Sequence, residues 1–189
     1  MSRIRMLAFG AALLGLASPL GAQDRGPVVQ AYGGVYGHAI NLADAPAAHF
    51  KAGYSFGGAV GYQLNRHFVV NGDFMFGRTD GLGAVPFESV NRFFYGADIE
   101  ARYPVGHGFT PFVFAGGGAV TLDETGVNMP RFTKPAGLFG AGFAYQLGQM
   151  PAEFVAQARS YVYEWDRNGF ERTQWDVTFV GGFRYHFGK

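Results

Sequence analysis

Seven ionisable side chains share one parity within alternating segments: Asp73, Asp98, Glu100, Arg102, Glu153, Arg159 and Arg184. Such groups can do acid–base work, hold a cation or pair with one another. Asp98 and Glu100, two apart on one strand face, would lie about 7 Å from each other, a spacing that two catalytic carboxylates can use. Many strands satisfy that spacing, and buried charges are normally paired, so a structural charge network is the expectation. Nucleophilic chemistry has less support. A serine hydrolase needs Ser beside His with a third group to orient the base. Beyond the first 22 residues the only serines are Ser55, Ser89 and Ser160, and none lies within a few positions of His38, His49, His67, His107 or His186. No His pair has convincing metal-ligand spacing, and with no Cys there are no thiolate sites or disulfides. Gly57-Gly58 and Gly116-Gly117-Gly118 form neither a P-loop nor a Gly-x-Gly-x-x-Gly turn. No catalytic, metal or cofactor residue is therefore expected, and each His is read as a loop or rim residue.

The elements that must carry these charges are eight Gly- and aromatic-rich segments of alternating polarity. They run over Val28 to His38, Ala52 to Leu64, Phe68 to Gly77, Val90 to Tyr103, Thr110 to Leu122, Lys134 to Leu147, Ala152 to Glu164 and Thr173 to Phe187. Each is about ten residues or longer, the length a strand tilted by about 45° needs to cross a bilayer core. The fourth shows the pattern well: Phe93, Tyr95, Ala97, Ile99, Ala101 and Tyr103 share one face, and Arg92, Phe94, Gly96, Asp98, Glu100 and Arg102 the other. Glycine, 30 of 189 residues, argues against helix.

Ahead of the segments, Arg3 and Arg5, the apolar run Met6 to Leu16 and the small residues up to Ala22 have the form of a secretion signal over residues 1–22. Residues 23–189 are left for one domain. Charged residues make up 15% of the chain and aromatic ones 17%, a balance suited to an outer face that meets lipid. The formal charge of +1 gives no reason to expect nucleic acid. No later stretch has the about 20 apolar residues of a membrane helix, so a spanning structure would be a closed barrel.

A period of two does not by itself say which face points inward, since a soluble barrel would bury the greasy face and a membrane barrel inverts this. Two features favour the membrane. Aromatic residues bracket the apolar stripes as an expected girdle: Tyr54 with Tyr62, Tyr95 with Tyr103, Trp175 with Tyr185. Eight positions at about 3.3 Å and a tilt of about 40° cover roughly 20 Å along the membrane normal, near the apolar band of such barrels. Connections also alternate. Ala39 to Lys51, Arg78 to Ser89, Asp123 to Phe132 and Trp165 to Arg172 are long, whereas Asn65-Arg66, Pro104 to Phe109 and Gly148 to Pro151 are clipped. Short turns on the periplasmic side and long external loops are the membrane-barrel arrangement.

Gly140 to Tyr145, Glu153 to Arg159 and the closing strand Asp176 to Phe187 carry a resemblance to the small eight-stranded outer-membrane β-barrel proteins, the family that includes outer membrane proteins A and X. The last strand resembles that family's C-terminal assembly signal, although Gly188 and Lys189 follow Phe187. The resemblance implies an all-β, eight-stranded antiparallel up-and-down transmembrane barrel in the bacterial outer membrane, with outer-membrane lipids and the barrel-assembly machinery as partners. A monomer with a structural or surface-interaction role is expected, without a cofactor or a wide pore. Phe87, Met129, Phe132 and Phe170 are candidate loop-tip contacts for an extracellular ligand whose nature the chain does not reveal. A soluble exported barrel for an apolar ligand and a lipid-modifying enzyme are the competing readings; the His-x-Ser motif of the lipid A 3-O-deacylase family is absent.

Overall fold

The computed structural model describes residues 25–38, 48–83, 88–126, 130–167 and 170–187. The segment read as a secretion signal lies outside the described residues, as do Phe87 and Met129. Nine strands follow in order: β1 (Gly26–His38), β2 (Ala48–Phe50), β3 (Gly53–Asn65), β4 (Phe68–Gly83), β5 (Ser89–Arg102), β6 (Phe109–Thr125), β7 (Phe132–Gln146), β8 (Ala152–Arg167) and β9 (Phe170–His186). Eight of them pair antiparallel in the cyclic order β3-β1-β9-β8-β7-β6-β5-β4, and the β3–β4 pairing closes the ring. β2 is a short flap on the upper end of β4. Closure satisfies every strand edge internally, which a spanning sheet requires.

The eight expected segments all appear, but the strands at the end remote from the termini run further than expected. β4 continues to Gly83, β6 to Thr125 and β8 to Arg167, and β9 begins at Phe170. Two of the four long connections, β4–β5 and β8–β9, thus begin and end as hairpin ladder, and the extended end of β6 pairs with β5. The polar residues in those stretches carry no alternating apolar signal, yet their backbone groups still pair across neighbouring strands.

At the other end the turns are tight. Asn65 Oδ1 accepts from the backbone N–H groups of His67 (2.7 Å) and Phe68 (3.0 Å), an Asx turn that reverses the chain in two residues. Between β5 and β6, Gly106, His107 and Gly108 take φ of 101°, 52° and 77°, a left-handed run that glycine tolerates.

Side chains inside the barrel are packed against glycines on the neighbouring strand. A Cβ on Gly140 would stand 2.4 Å from the Phe114 ring, and one on Gly142 2.8 Å from Phe112. Those rings occupy the space an ordinary side chain would fill.

Candidate functional site

Among the described residues, the lumen concentrates buried charge. Four arginines, Arg92, Arg102, Arg159 and Arg184, are buried in it together with Asp73, Asp98, Glu100, Glu153 and Asp176. They stack in three tiers along the axis.

In the tier nearest the termini, Arg184 on β9 meets Glu100 on β5 through two bonds of 2.8 and 2.6 Å, and Gln30 Oε1 accepts from the same guanidinium at 3.0 and 3.2 Å. Arg102 donates to both Glu153 oxygens at 2.7 and 2.8 Å. His186 Nε2 lies 3.1 Å from Glu153. The Arg184 guanidinium also sits 5.5 Å above the Phe112 ring.

At mid-height, Arg159 on β8 pairs with Asp73 on β4 at 2.8 Å, and Tyr32 donates to the same carboxylate at 2.6 Å. The rings of Tyr32 and Phe114 lie 4.9 and 5.2 Å from that guanidinium. Asp98 accepts from Asn71 Nδ2 at 2.9 Å, so an amide serves it where a guanidinium was expected. A cavity of about 10 Å³ remains at this level between Gln30, Asp73, Gln157 and Arg159, room for about one water.

The third tier centres on Asp176, which sequence reasoning left out of the charge network although it placed the residue on the inward face. Its carboxylate accepts from Tyr163 (2.7 Å) and from Tyr36, and Arg92 Nε stands 3.4 Å away. Arg92 donates onward to Thr79 at 2.7 Å. His38 Nε2 is 3.1 Å from Asp176. His38 and His186 are therefore inside the two mouths of the barrel, not on loops or rims as expected; a carboxylate on the neighbouring strand, Asp176 for His38 and Glu153 for His186, holds each ring inward.

Above this tier an aromatic cap closes the lumen. Trp165 and Val90 are fully buried beside the buried polar side chains of Thr79, Glu124 and Gln174, and the Phe132 ring meets Trp165 edge-on with centroids 5.5 Å apart. Phe132, expected at a loop tip, is thus packed into this cap because β7 starts at that residue.

The outer wall changes from apolar to polar near the height of this cap. Outward positions on β4 read Val70, Gly72, Phe74, Phe76 and then Arg78 and Asp80; on β9 they read Phe183, Gly181, Phe179, Val177, Trp175 and then Thr173 and Glu171. Within the apolar band the charges face in and the rings face out, with Val60 67% and Phe179 61% exposed. Beyond it the outer wall is polar, while the interior holds the Trp165–Phe132 cap together with buried Thr79, Glu124 and Gln174. The six expected girdle residues, Tyr54, Tyr62, Tyr95, Tyr103, Trp175 and Tyr185, are all exposed on this wall. Tyr95 approaches Thr121 Oγ1 at 3.3 Å, and Trp175 donates to Ser160 Oγ at 3.1 Å.

The family model of the outer membrane protein β-barrel domain matches residues 9–189. The chain belongs to that family. As an outer membrane β-barrel protein it resides in the bacterial outer membrane, and the reading as a soluble exported barrel falls with its apolar exterior. The same fold is seen in Neisserial surface protein A, with a TM-score of 0.64 at 15% identity over 85% of this chain and 97% of that one. Outer membrane protein OprG from Pseudomonas aeruginosa gives a TM-score of 0.53 at 17% identity over 87% and 97% of the two chains. No curated protein matches the sequence.

The described serines sit apart from hydrolytic geometry. Ser89 bonds Thr125 at 2.6 Å, Ser160 accepts from Trp175, and Ser55 is buried in the wall. Among the described residues no group of three or more His, Asp or Glu side chains could hold a metal ion.

Proposed function

We propose that this outer membrane barrel is a closed, monomeric envelope protein that acts through its scaffold and exposed surface rather than through a pore or a catalytic centre. The observation that carries this reading is the lumen itself: three tiers of ion pairs span it, and the Trp165–Phe132 cap lies over them. An eight-stranded barrel has an interior that side chains can fill. Here every arginine placed in it is held by a carboxylate, so passage of a solute would require breaking buried charge pairs, each break costing about 3–5 kcal/mol. Lipids of the outer membrane surround the wall, and the barrel-assembly machinery inserts the chain.

Planar-bilayer recording of the purified protein tests this. Steady porin-sized conductance would overturn the closed reading; a silent bilayer is expected. Mass analysis of lipid A from cells with and without the protein should show the same acylation pattern, and a lost acyl chain would point to an enzyme instead.

A further inference from the structure

Strand register arranges the lipid-facing wall over β1, β3, β4 and β5 in rungs. Val35, Tyr54, Arg78 and Asn91 share the uppermost; next come Gly33, Phe56, Phe76 and Phe93, then Ala31, Gly58, Phe74 and Tyr95, then Val29, Val60, Gly72 and Ala97. The second rung is a continuous aromatic row, with Phe76 centroids 5.0 Å from Phe56 and 5.1 Å from Phe93, and Tyr54 leaning onto Phe76 at 6.2 Å. Beneath it the small residues of the lower rungs leave a groove of about 490 Å³ lined by Val29, Gly58, Val60, Gly72, Phe74 and Tyr95. Above it stands Arg78, exposed and outward-facing at the level where the wall turns polar. None of the described carboxylates lies within ion-pair distance of it, Asp80 included.

A cation at the end of an apolar stripe, over rings and above a groove, has the elements that a phosphorylated acyl lipid would engage in one line. We infer that this wall binds a phosphorylated, multiply acylated lipid of the outer leaflet, its phosphate on Arg78 and one acyl chain in the groove under the Phe56–Phe76–Phe93 row. Arg78 lies at the end remote from both termini, which is the external side of such barrels and so selects the outer leaflet. Arginine matches phosphate geometry with paired N–H donors, and at the interface the pair is less screened than in bulk water. The opposite wall has a comparable groove along Ala141, Phe143, Ala156, Ala158, Phe179 and Gly181, but the cations at its upper end are already engaged, Lys134 by Asp166 and Arg131 by Asp123, and the outward positions above the groove on β8 and β9 add Glu164 and Glu171, which would repel a phosphate.

Gly72 supplies a clean probe of the groove, because a Cβ there meets only Val60 O at 3.7 Å and a larger side chain would extend into the groove without striking the barrel. Full-length protein in detergent is titrated with phosphorylated lipid A and with dephosphorylated lipid A, and bound lipid is counted by native mass spectrometry. Wild type should prefer the phosphorylated form. Arg78→Gln should lose about fivefold in affinity for it and bind the two forms alike. Gly72→Leu should weaken both forms equally, and Arg66→Gln at the opposite end should change neither. The inference is overturned if wild type does not distinguish the two lipids, if Arg78→Gln binds as wild type does, or if Arg66→Gln loses as much as Arg78→Gln.

Discussion

Arg184 and Glu100 meet head-on in the middle of the lumen through two parallel N–H···O bonds, from strands four places apart in a ring of eight. They face each other across the full diameter. Arg159 with Asp73, on β8 and β4, and Arg92 with Asp176, on β5 and β9, stand in the same relation. The barrel therefore carries three diametral struts at three heights, and opposite walls are tied to each other as well as to their neighbours.

Removing one end of a strut leaves the other charge buried without its partner. Arg184→Ala should lower unfolding stability in detergent by about 3–5 kcal/mol. The double change Arg184→Met with Glu100→Met should cost much less than the sum of the single changes, since no orphan charge remains. Urea titration of the four proteins gives the coupling directly, and simple additivity would show that the two groups act independently.

Arg159 is held by planar rings as well as by Asp73, so charge alone should not replace it. Arg159→Ala is expected to lower the urea midpoint while heat-modifiable migration on gels still reports an inserted barrel. Arg159→Lys should recover only part of the loss, because an ammonium lacks the flat face that rests on Tyr32 and Phe114. An unchanged midpoint in Arg159→Ala would remove the middle strut from the account.

Close packing makes two glycines of β7 differ sharply. Gly140→Val places a Cβ 2.4 Å from Phe114 and 2.2 Å from the carbonyl of Ala158, whereas at Gly137 the nearest atom is Val162 O at 3.9 Å. The first should cost about 1–3 kcal/mol or more and reduce folded yield; Gly137→Ala should be close to neutral. Refolding yield into detergent micelles, read on unboiled gels, separates them.

The outer edge of the apolar band falls between Trp175 and Thr173 on β9. Phe179→Arg, well inside the band, should cost about 2–4 kcal/mol, and Thr173→Arg, beyond it, about 0–1 kcal/mol. Equal costs for the two, measured in lipid vesicles, would move the boundary.

Much of this molecule is legible from its residues one after another. Alternation along each segment assigns Asp73, Asp98, Glu100, Arg102, Glu153, Arg159 and Arg184 to one face, because successive side chains of a strand must point to opposite sides. Length, paired aromatic ends and clipped turns identify a membrane barrel, because bilayer thickness and the need to pair every backbone group admit little else. What no local pattern contains is which charge meets which. Glu100 and Arg184 are separated by 84 positions, and only closure of the ring with its particular stagger brings them together and assigns Asn71, not an arginine, to Asp98. The same holds for His38 and His186, drawn inward by carboxylates on other strands, and for the aromatic cap of Trp165 and Phe132. Periodicity is a property of one strand and can be read along it; partnership across a lumen is a property of eight strands at once, decided by register and closure.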